Sequence, residues 1–260
     1  MAERSDKEQR RIALVTGAGG GIGTRICHRL AGDGYRVVAC DLAADRAAAA
    51  IQGLEGDHEW RAFDVSDESQ VERAFDEIES GLGPIAAVVS AAGLLLFQSD
   101  GQRPLIKSTP LETWERSFAV NTRGVFLCAR AYIRHRERLP VSDGRFITFS
   151  SVAAQLGGYR SSASYIAAKS AVLGLTKAMA REVSRMGITV NSVSPGLIDT
   201  EMLRSTVSSG GALRDAAEAI PLGRIGTPDD VADAVGFLAS PQSGYITGSV
   251  IDVNGGYRMQ

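Results

Sequence analysis

A tyrosine and a lysine four residues apart, Tyr165 and Lys169, are the first candidates for chemistry in this sequence. They lie in the run SASYIAAKS, and Lys169 is one of only four lysines, against 24 arginines. Residues four apart on a helix share a face, so the ammonium can stabilise a phenolate. Lowering a tyrosine pKa from about 10 to neutrality needs roughly 4 kcal/mol of such stabilisation. The pair is therefore either a proton-transfer device or a helix-surface pair with a solvated lysine tip.

A glycine cluster lies between the first strand pattern, RIALVT, and the first helix pattern. Its sequence is TGAGGGIG, residues 16–23, and its spacing is Gly17-x-x-x-Gly21-x-Gly23. Glycines let the backbone approach a pyrophosphate, and a helix N-terminus offers free N–H groups to it. The spacing is neither GxGxxG nor a Walker loop. The stretch favours a dinucleotide site over its alternative, a flexible glycine turn.

Two acids follow the next two strand patterns. Asp41 lies about 20 residues past the glycine cluster, where a carboxylate can accept from the adenine-ribose hydroxyls and repel a 2′-phosphate. Its other possible role is an N-cap for the next helix. Since Leu42 follows it and the only nearby base is Arg25, the pattern favours NAD(H) over NADP(H). Asp64 can bond the adenine amino group or, equally, cap the helix that starts near Asp67.

Composition limits the remaining function classes. The 260-residue chain is 44% hydrophobic, with a net charge of −2 and a pI near 6.0, so it can bury a large core and has no basic stripe for nucleic acid. The arginine-rich stretch at 130–140 is interpreted as the wet face and end of a helix. Three cysteines without a CxxC pair predict buried, reduced thiols and no metal site.

The start of the sequence and its apolar runs predict neither a secretory signal nor a membrane span. The start, MAERSDKEQRR, is charged and lacks the apolar core of a secretory signal, and no apolar run is long enough to span a bilayer. We therefore expect a disordered tail at 1–10 and a cytoplasmic protein with no membrane partner.

Strand-length apolar runs alternate with helical patterns along the chain. This alternation predicts an α/β fold with a doubly wound parallel sheet covered by helices on both faces. No linker divides the chain, so we expect a single domain over 11–260. Two long connections, 94–111 and 201–220, follow carboxyl ends of strands, and the second is a candidate substrate lid. The strand patterns cover 11–16, 35–41, 58–64, 85–92, 145–151, 187–195 and 249–256.

Six motifs in order resemble the short-chain dehydrogenase/reductase family. They are TGAGGGIG at 16–23, DV at 64–65, NTRG at 121–124, SS at 150–151, YIAAK at 165–169 and SPGLIDT at 194–200. The resemblance runs from about Arg11 to Tyr257. It implies a seven-stranded Rossmann-like sheet, a nicotinamide cofactor, and hydride exchange at a secondary alcohol or ketone carbon.

The resemblance also implies residue roles. Tyr165 resembles the general acid/base, Lys169 its partner, Ser151 the serine that holds the substrate oxygen, and Asn121 the anchor of a water in the proton relay. Thr200 resembles a contact to the nicotinamide carboxamide. The other implied cofactor contacts are Gly17, Gly19, Gly20, Gly21, Ile22, Gly23, Asp41, Leu42, Asp64, Val65, Ala91, Ala92, Gly93, Pro195, Gly196 and Ile198, together with Tyr165 and Lys169.

Two departures from the family pattern change the expectations locally. The family often has Asn-Asn-Ala-Gly after its fourth strand, whereas residues 90–93 are Ser-Ala-Ala-Gly and lose a side-chain amide. Ser151 also lies fourteen residues before Tyr165, one more than the common spacing, which predicts a bulge in AAQLGGYRSSAS. Either Ser150 or Ser151 can then face the substrate, and Ser151 is favoured because it ends the strand.

The sequence therefore predicts an NAD(H)-dependent oxidoreductase of a small-molecule secondary alcohol or ketone. One alternative is a 3-oxoacyl-thioester (acyl carrier protein) reductase, which would normally use NADPH. Another is a non-catalytic dinucleotide-binding module. The mostly apolar loops favour a neutral or weakly anionic substrate. The family resemblance and the small apolar face of YIAAKSAVLGLTKAMA predict a homo-oligomer, expected to be a homotetramer.

Overall fold

The sheet unites almost the whole length of the chain. The computed structural model describes residues 10–96, 105–158, 161–205 and 210–259. Within them, seven parallel strands form one sheet in the order β3-β2-β1-β4-β5-β6-β7. The strands are β1 Ile12–Thr16, β2 Arg36–Asp41, β3 Glu59–Ala62, β4 Ile85–Ser90, β5 Gly144–Phe149, β6 Ile188–Pro195 and β7 Val250–Val253. The predicted fold class is thus confirmed, and each strand lies inside its predicted range except β5, which begins one residue earlier.

Helices cover both faces of this sheet. In the described part of the chain they are α1 Gly21–Gly32, α2 Ala44–Ala49, α3 Glu68–Gly81, α4 Leu111–Phe118, α5 Gly124–Arg138, α6 Val152–Leu156, α7 Ala163–Val183, α8 Glu201–Arg204, α9 Gly210–Glu218 and α10 Pro228–Ala239. Buried side chains of α3, α5 and α7 pack on one face of the sheet. Those of α1 and α10 pack on the other. The central strands are apolar on both sides because both sides are covered.

The strand order reverses beside β1, which pairs with β2 on one side and β4 on the other. Helix α1 follows the carboxyl end of β1. After β2 and β3 have been added on one flank of β1, the chain continues with β4 on its other flank. Open α/β sheets bind ligands in the crevice at such a reversal, outside the carboxyl ends of the strands. The glycine cluster and the segment after β4 both lie there.

The arginine-rich stretch of α5 is not only a solvent-exposed helix face. It forms a ladder of ion pairs with α3, in which Arg130, Arg134, His135 and Arg136 contact Glu68, Glu72, Asp76 and Glu79. Arg136 and Glu79 are almost completely buried, with side chains 1% and 6% exposed. The predicted solvated face is wrong at Arg136, because its guanidinium lies between the helices and over the ring of Tyr132.

All three cysteines are buried and free, as predicted. Burial raises the pKa of Cys27 and of Cys128 to about 12, so these thiols are unreactive. Among the described helices, none combines the length and the apolar character that a membrane span requires. Of the predicted tail, all but Arg10 lies outside the described residues.

Candidate active site

Helix α7 carries both residues of the tyrosine–lysine pair on its buried side. Ser162 caps the helix, since its hydroxyl accepts a hydrogen bond from the N–H of Tyr165. Lys169 is only 4% exposed, and its ammonium donates to the carbonyl of Phe149 at 3.0 Å. The Lys169 Nζ lies 6.0 Å from the centre of the Tyr165 ring. The pair is therefore inside the protein at the end of β5, and a helix-surface pair is excluded.

Burial changes the pKa of both groups. It raises the pKa of Tyr165 above its ordinary value, and a hydrogen bond with Ser151 acts in the opposite direction. It lowers the pKa of Lys169 from 10.5 to about 8. The expected lowering of the tyrosine pKa by Lys169 is not found, because the ammonium points to the Phe149 carbonyl and desolvation dominates at the phenol.

The two candidate serines occupy different environments. Ser151 caps α6, contacts Tyr165 by a hydrogen bond, and lines the cavity described below. Ser150 is 3% exposed and donates its hydroxyl to the carbonyl of Lys169. Strand β5 ends at Phe149, before either serine, and the predicted bulge is instead the short helix α6, closed by Gly157 in the left-handed region. This arrangement brings Ser151, and not Ser150, to the phenol.

Asn121 lies in a π-helical turn, Ala119–Arg123, between α4 and α5. Its amide pairs with the backbone of Leu94, accepting from the N–H at 3.1 Å and donating to the carbonyl at 3.0 Å. A Cβ on Gly93 would lie 2.9 Å from the Asn121 Oδ1 and 3.3 Å from the Lys169 Nζ. The helix irregularity thus places Asn121 beside Lys169, and π-turns of this kind are frequent at functional sites.

Three glycines of the cluster, Gly17, Gly19 and Gly23, pack so closely that they leave no room for a side chain. A Cβ on Gly23 would lie 2.1 Å from the Gly17 carbonyl oxygen, and one on Gly17 would lie 2.7 Å from the Ala92 Cα. Gly17 also has a φ of +67°, which other residues rarely adopt. The helix that follows has no side-chain cap at Gly20. Its first N–H groups are therefore available to a phosphate, and the cradle fits a dinucleotide pyrophosphate.

Asp41 and Arg46 hold the outer side of this turn. The Asp41 carboxylate accepts from the N–H of Gly19 at 3.0 Å and from that of Ala43 at 3.4 Å. The Arg46 guanidinium donates to the Gly19 carbonyl at 3.1 Å. The expectation that Arg25 is the only nearby base is wrong, because Arg46 reaches the turn from α2 while Arg25 is paired with an acid of α10.

Asp64 and Val65 follow β3, the strand next to β2 in the sheet. Asp64 accepts from the N–H and the hydroxyl of Ser66, so its carboxylate holds a turn after β3. The alternative that Asp64 caps the next helix is wrong, because Asp67 is the N-cap of α3. Val65 is 9% exposed and packs against Gly124 at the start of α5.

Most of the remaining predicted cofactor contacts lie near the ends of β4 and β6. Ile22, Ala91, Gly93, Pro195, Gly196, Ile198 and Thr200 all line the central cavity, whereas Leu42 is 70% exposed at the outer edge of the sheet. Ala92 contacts the glycine turn and donates its N–H to Thr16. Thr200 caps α8. The structure therefore brings the predicted set into one crevice, with Leu42, Asp41 and Asp64 at its periphery.

A cavity of about 450 Å³ extends from Ser151, Tyr165 and Lys169 toward α8 and α9. Its side chains are mostly apolar and include Leu95, Val152, Leu156, Leu197, Met202 and Leu203. Asp215 of α9 and Tyr257 near the C-terminus add polar atoms at its margin. In the connections that follow β4 and β5, Phe97, Arg103, Tyr159 and Arg160 lie outside the described residues, and Leu105 and Lys107 are exposed.

Sequence reasoning missed three residues of this site. The sequence pattern indicates only that Arg46 is a charged residue on a helix. Its spacing of five residues from Asp41 is the one local signal of its contact with the glycine turn. Tyr257 and Gln155 belong to none of the six sequence motifs. Tyr257 lines the cavity, and Gln155 anchors the helix that Ser151 caps. Their contacts come from distant segments and carry no periodic signal in the sequence.

Comparisons with known proteins match this chain to reductases and to a dehydrogenase. A family model described as enoyl-(acyl carrier protein) reductase matches residues 17–258. The (3R)-3-hydroxyacyl-CoA dehydrogenase of Canis lupus familiaris is 40% identical, covering 95% of this chain and 96% of the relative. The 3-oxoacyl-[acyl-carrier-protein] reductase MabA of Mycobacterium tuberculosis (strain ATCC 25618 / H37Rv) is 38% identical, covering 96% and 93%. The reductase FabG of Vibrio cholerae is 36% identical, covering 96% and 98%.

Proposed function

The chain belongs to the short-chain dehydrogenase/reductase family and is an oxidoreductase of CH–OH and keto groups; from this premise we propose that its substrates are 3-hydroxyacyl and 3-oxoacyl thioesters. The relatives are named for both directions of that conversion. The observation that carries the proposal is the contact of Ser151 with Tyr165 at the wall of a mostly apolar cavity. An acyl chain suits such a wall, because burying apolar surface is favourable at about 25 cal/mol per Å².

The cofactor region fits a nicotinamide dinucleotide. The N–H groups at the start of α1 would hold its pyrophosphate, Asp41 its adenine ribose, and Lys169 its nicotinamide ribose. When bound, the nicotinamide accepts or supplies the hydride and, in its oxidised form, adds a positive charge. Ile198 and Thr200, which line the cavity, would hold the carboxamide.

The protein's own contribution is the movement and placement of a proton. In reduction, Tyr165 donates its proton to the substrate oxygen, and the raised pKa keeps the phenol protonated until then. In oxidation, Tyr165 receives that proton. Ser151 orients the oxygen and lowers the pKa of the phenol, whereas Lys169 would stabilise the phenolate only by turning its ammonium from the Phe149 carbonyl toward it. Asn121, beside Lys169, is placed to hold a water that returns the proton to solvent.

A panel of 3-hydroxyacyl and 3-oxoacyl thioesters, with plain secondary alcohols and ketones alongside, tests the proposal through nicotinamide absorbance. We expect turnover of the thioesters, and a loss of about 10²–10⁴-fold in kcat for Tyr165→Phe with cofactor binding retained. Tyr35→Phe is the matched control, since the Tyr35 hydroxyl is buried and bonded to Ala239 far from the site. Turnover of the alcohols alone would contradict the thioester proposal. Tight cofactor binding with no turnover would favour a binding module.

For the cofactor, we propose a preference for NAD(H) over NADP(H), supported by the Asp41 carboxylate at the glycine turn. Arg46 lies on the same turn and provides the opposite charge. We expect Asp41→Ala to raise kcat/KM for NADPH relative to NADH by about tenfold, or 1.4 kcal/mol. Adding Arg46→Ala should remove most of that gain. Asp45→Ala, an exposed acid of α2, controls for the change in net charge. A wild-type protein that prefers NADPH would overturn the assignment.

A further inference from the structure

Helix α6 is anchored at its far end by Gln155, one helical turn from Ser151. The Gln155 amide Nε2 donates to the Ser194 hydroxyl at 3.3 Å and to the Asp252 carboxylate at 3.1 Å. These two acceptors are register partners on β6 and β7. The contact therefore ties the serine-bearing helix to the β6–β7 edge of the sheet.

The orientation of this amide depends on the carboxylate. The Gln155 Oε1 is buried and has no hydrogen-bond partner among the described residues. An unpartnered buried carbonyl is unfavourable, so the two bonds made by Nε2 must hold the side chain in place. Reversing the amide would put its oxygen against the Asp252 carboxylate, which excludes the other orientation.

Asp252 is in turn held by the C-terminal turn of the chain. Arg258 contacts the second oxygen of the Asp252 carboxylate at 3.0 Å, and both side chains are largely buried, at 25% and 16% exposed. The Arg258 carbonyl accepts from the Asn254 amide, which closes the turn. Tyr257, within this turn, lines the substrate cavity.

The opposite side of α6 is tied to the helix of the tyrosine. The Ser170 hydroxyl of α7 donates to the Ala154 carbonyl at 3.1 Å. Helix α6 thus lies between α7, which carries Tyr165, and the edge of the sheet. Because α6 has only five residues and begins at its cap, Ser151, a shift of its far end moves the serine hydroxyl relative to the phenol.

We propose that Gln155 is a positioning residue for Ser151, and that the Asp252–Arg258 pair holds Gln155 in the orientation this requires. The C-terminal turn then acts on the reaction from outside the cavity. The inference rests on the proposed function, since it takes Ser151 to orient the substrate oxygen for Tyr165. Its consequence is a lower kcat with an unchanged KM for the cofactor when the contact is broken, because the glycine turn is not involved.

Two substitutions of Gln155 test this. Gln155→Leu removes both donated hydrogen bonds, and we expect kcat to fall about tenfold. Gln155→Glu places a second carboxylate against Asp252, so the two acids share a proton only at low pH. Its kcat relative to wild type should therefore fall as the pH rises from about 5 to 8. A general packing defect would not produce that pH dependence.

Arg258 supplies a second, independent pair of variants. We expect Arg258→Met to lower kcat and Arg258→Lys to restore most of it, because a lysine keeps the positive charge next to Asp252. Arg130→Met is the matched control, since Arg130 is also paired with acids and is 26% exposed, but lies between α3 and α5. It should leave kcat unchanged.

An ultraviolet difference titration of the Tyr165 phenol separates this inference from the proposed function. We expect its pKa to be higher in Gln155→Leu than in wild type, with Gln155→Leu/Tyr165→Phe as the blank, because Ser151 no longer donates to the phenolate. This readout needs no substrate. An inactive wild type would defeat the proposed function alone. An unchanged phenol titration together with wild-type kcat in Gln155→Leu and Arg258→Met would overturn the positioning role.

Discussion

Desolvation acts on Tyr165 and Lys169 with opposite consequences. Desolvation disfavours the charged form of each, so the pKa of the phenol rises and that of the ammonium falls to about 8. At neutral pH the tyrosine is a proton donor and the lysine is still mostly charged. A protonated Tyr165 suits the reduction of a ketone, because the phenol must supply a proton in that direction.

Burial of the Lys169 ammonium should lower the free energy of unfolding, and removing the ammonium should raise it. We expect Lys169→Met to abolish turnover and raise the free energy of unfolding by about 1–3 kcal/mol at pH 7. Because the folded pKa lies below the unfolded value, the unfolded chain binds more protons between about pH 8 and 10.5. Wild type should therefore gain stability relative to the variant as the pH rises through that window. Urea unfolding at several pH values measures the difference.

Lys177 provides the control for this prediction. It is exposed on the same helix, so Lys177→Met should change neither the stability nor its pH dependence. A variant at Lys169 that is less stable than wild type at pH 7 would show that the bond to the Phe149 carbonyl outweighs the desolvation of the ammonium.

At the scale of elements, the start of helix α1 packs closely against the turn before it because both contain glycines at the points of contact. In Gly23→Ala the new methyl would meet the Gly17 carbonyl oxygen at 2.1 Å, so backbone must move. We expect at least a tenfold loss of NADH affinity, together with a lower melting temperature, measured by fluorescence titration and thermal unfolding.

Gly32, at the other end of the same helix, is the matched comparison. It is exposed, and a Cβ there meets nothing within 4 Å. Gly32→Ala should leave NADH affinity unchanged and should stabilise the helix slightly, since alanine loses less backbone entropy than glycine. Equal effects of the two substitutions would mean that the close packing of the turn does not matter for binding.

At the scale of the whole molecule, we propose that the protein forms a homotetramer. The support is an exposed face of small residues on α7, comprising Ala171, Gly174 and Ala178, beside the exposed apolar side chains Trp114 and Phe126 of α4 and α5. Small residues let helices approach closely across a two-fold axis. Sedimentation should give a mass near four times the 27.5 kDa of the chain.

Substitutions of exposed glycines test which face is used. Gly174→Glu should dissociate the assembly, because it places a charge in the centre of the proposed interface. Gly81→Glu, on the equally open end of α3, should leave it intact. Sedimentation of the wild-type protein as a monomer at micromolar concentration would contradict the proposed homotetramer.

Local patterns in the sequence determined the strands, the parallel sheet and the position of the glycine turn. A buried strand needs a continuous apolar run, and a phosphate turn needs glycine, so both leave a signal within a few residues. The YxxxK spacing likewise places Tyr165 and Lys169 on one helix face without any knowledge of the fold. The boundaries of α6 and the choice of Asp67 over Asp64 as a cap were not determined in this way, because several local hydrogen-bonding solutions compete there.

Tertiary structure alone decided which groups touch and how their charges behave. Arg46 reaches the glycine turn, and Gln155 meets Asp252, 97 residues away in sequence, only because the sheet brings those segments together. Burial, which no local pattern measures, raised the pKa of Tyr165 where the helix spacing alone predicted a lower one. The sequence determined the identity and spacing of the reacting groups, and the packing around them determined their protonation.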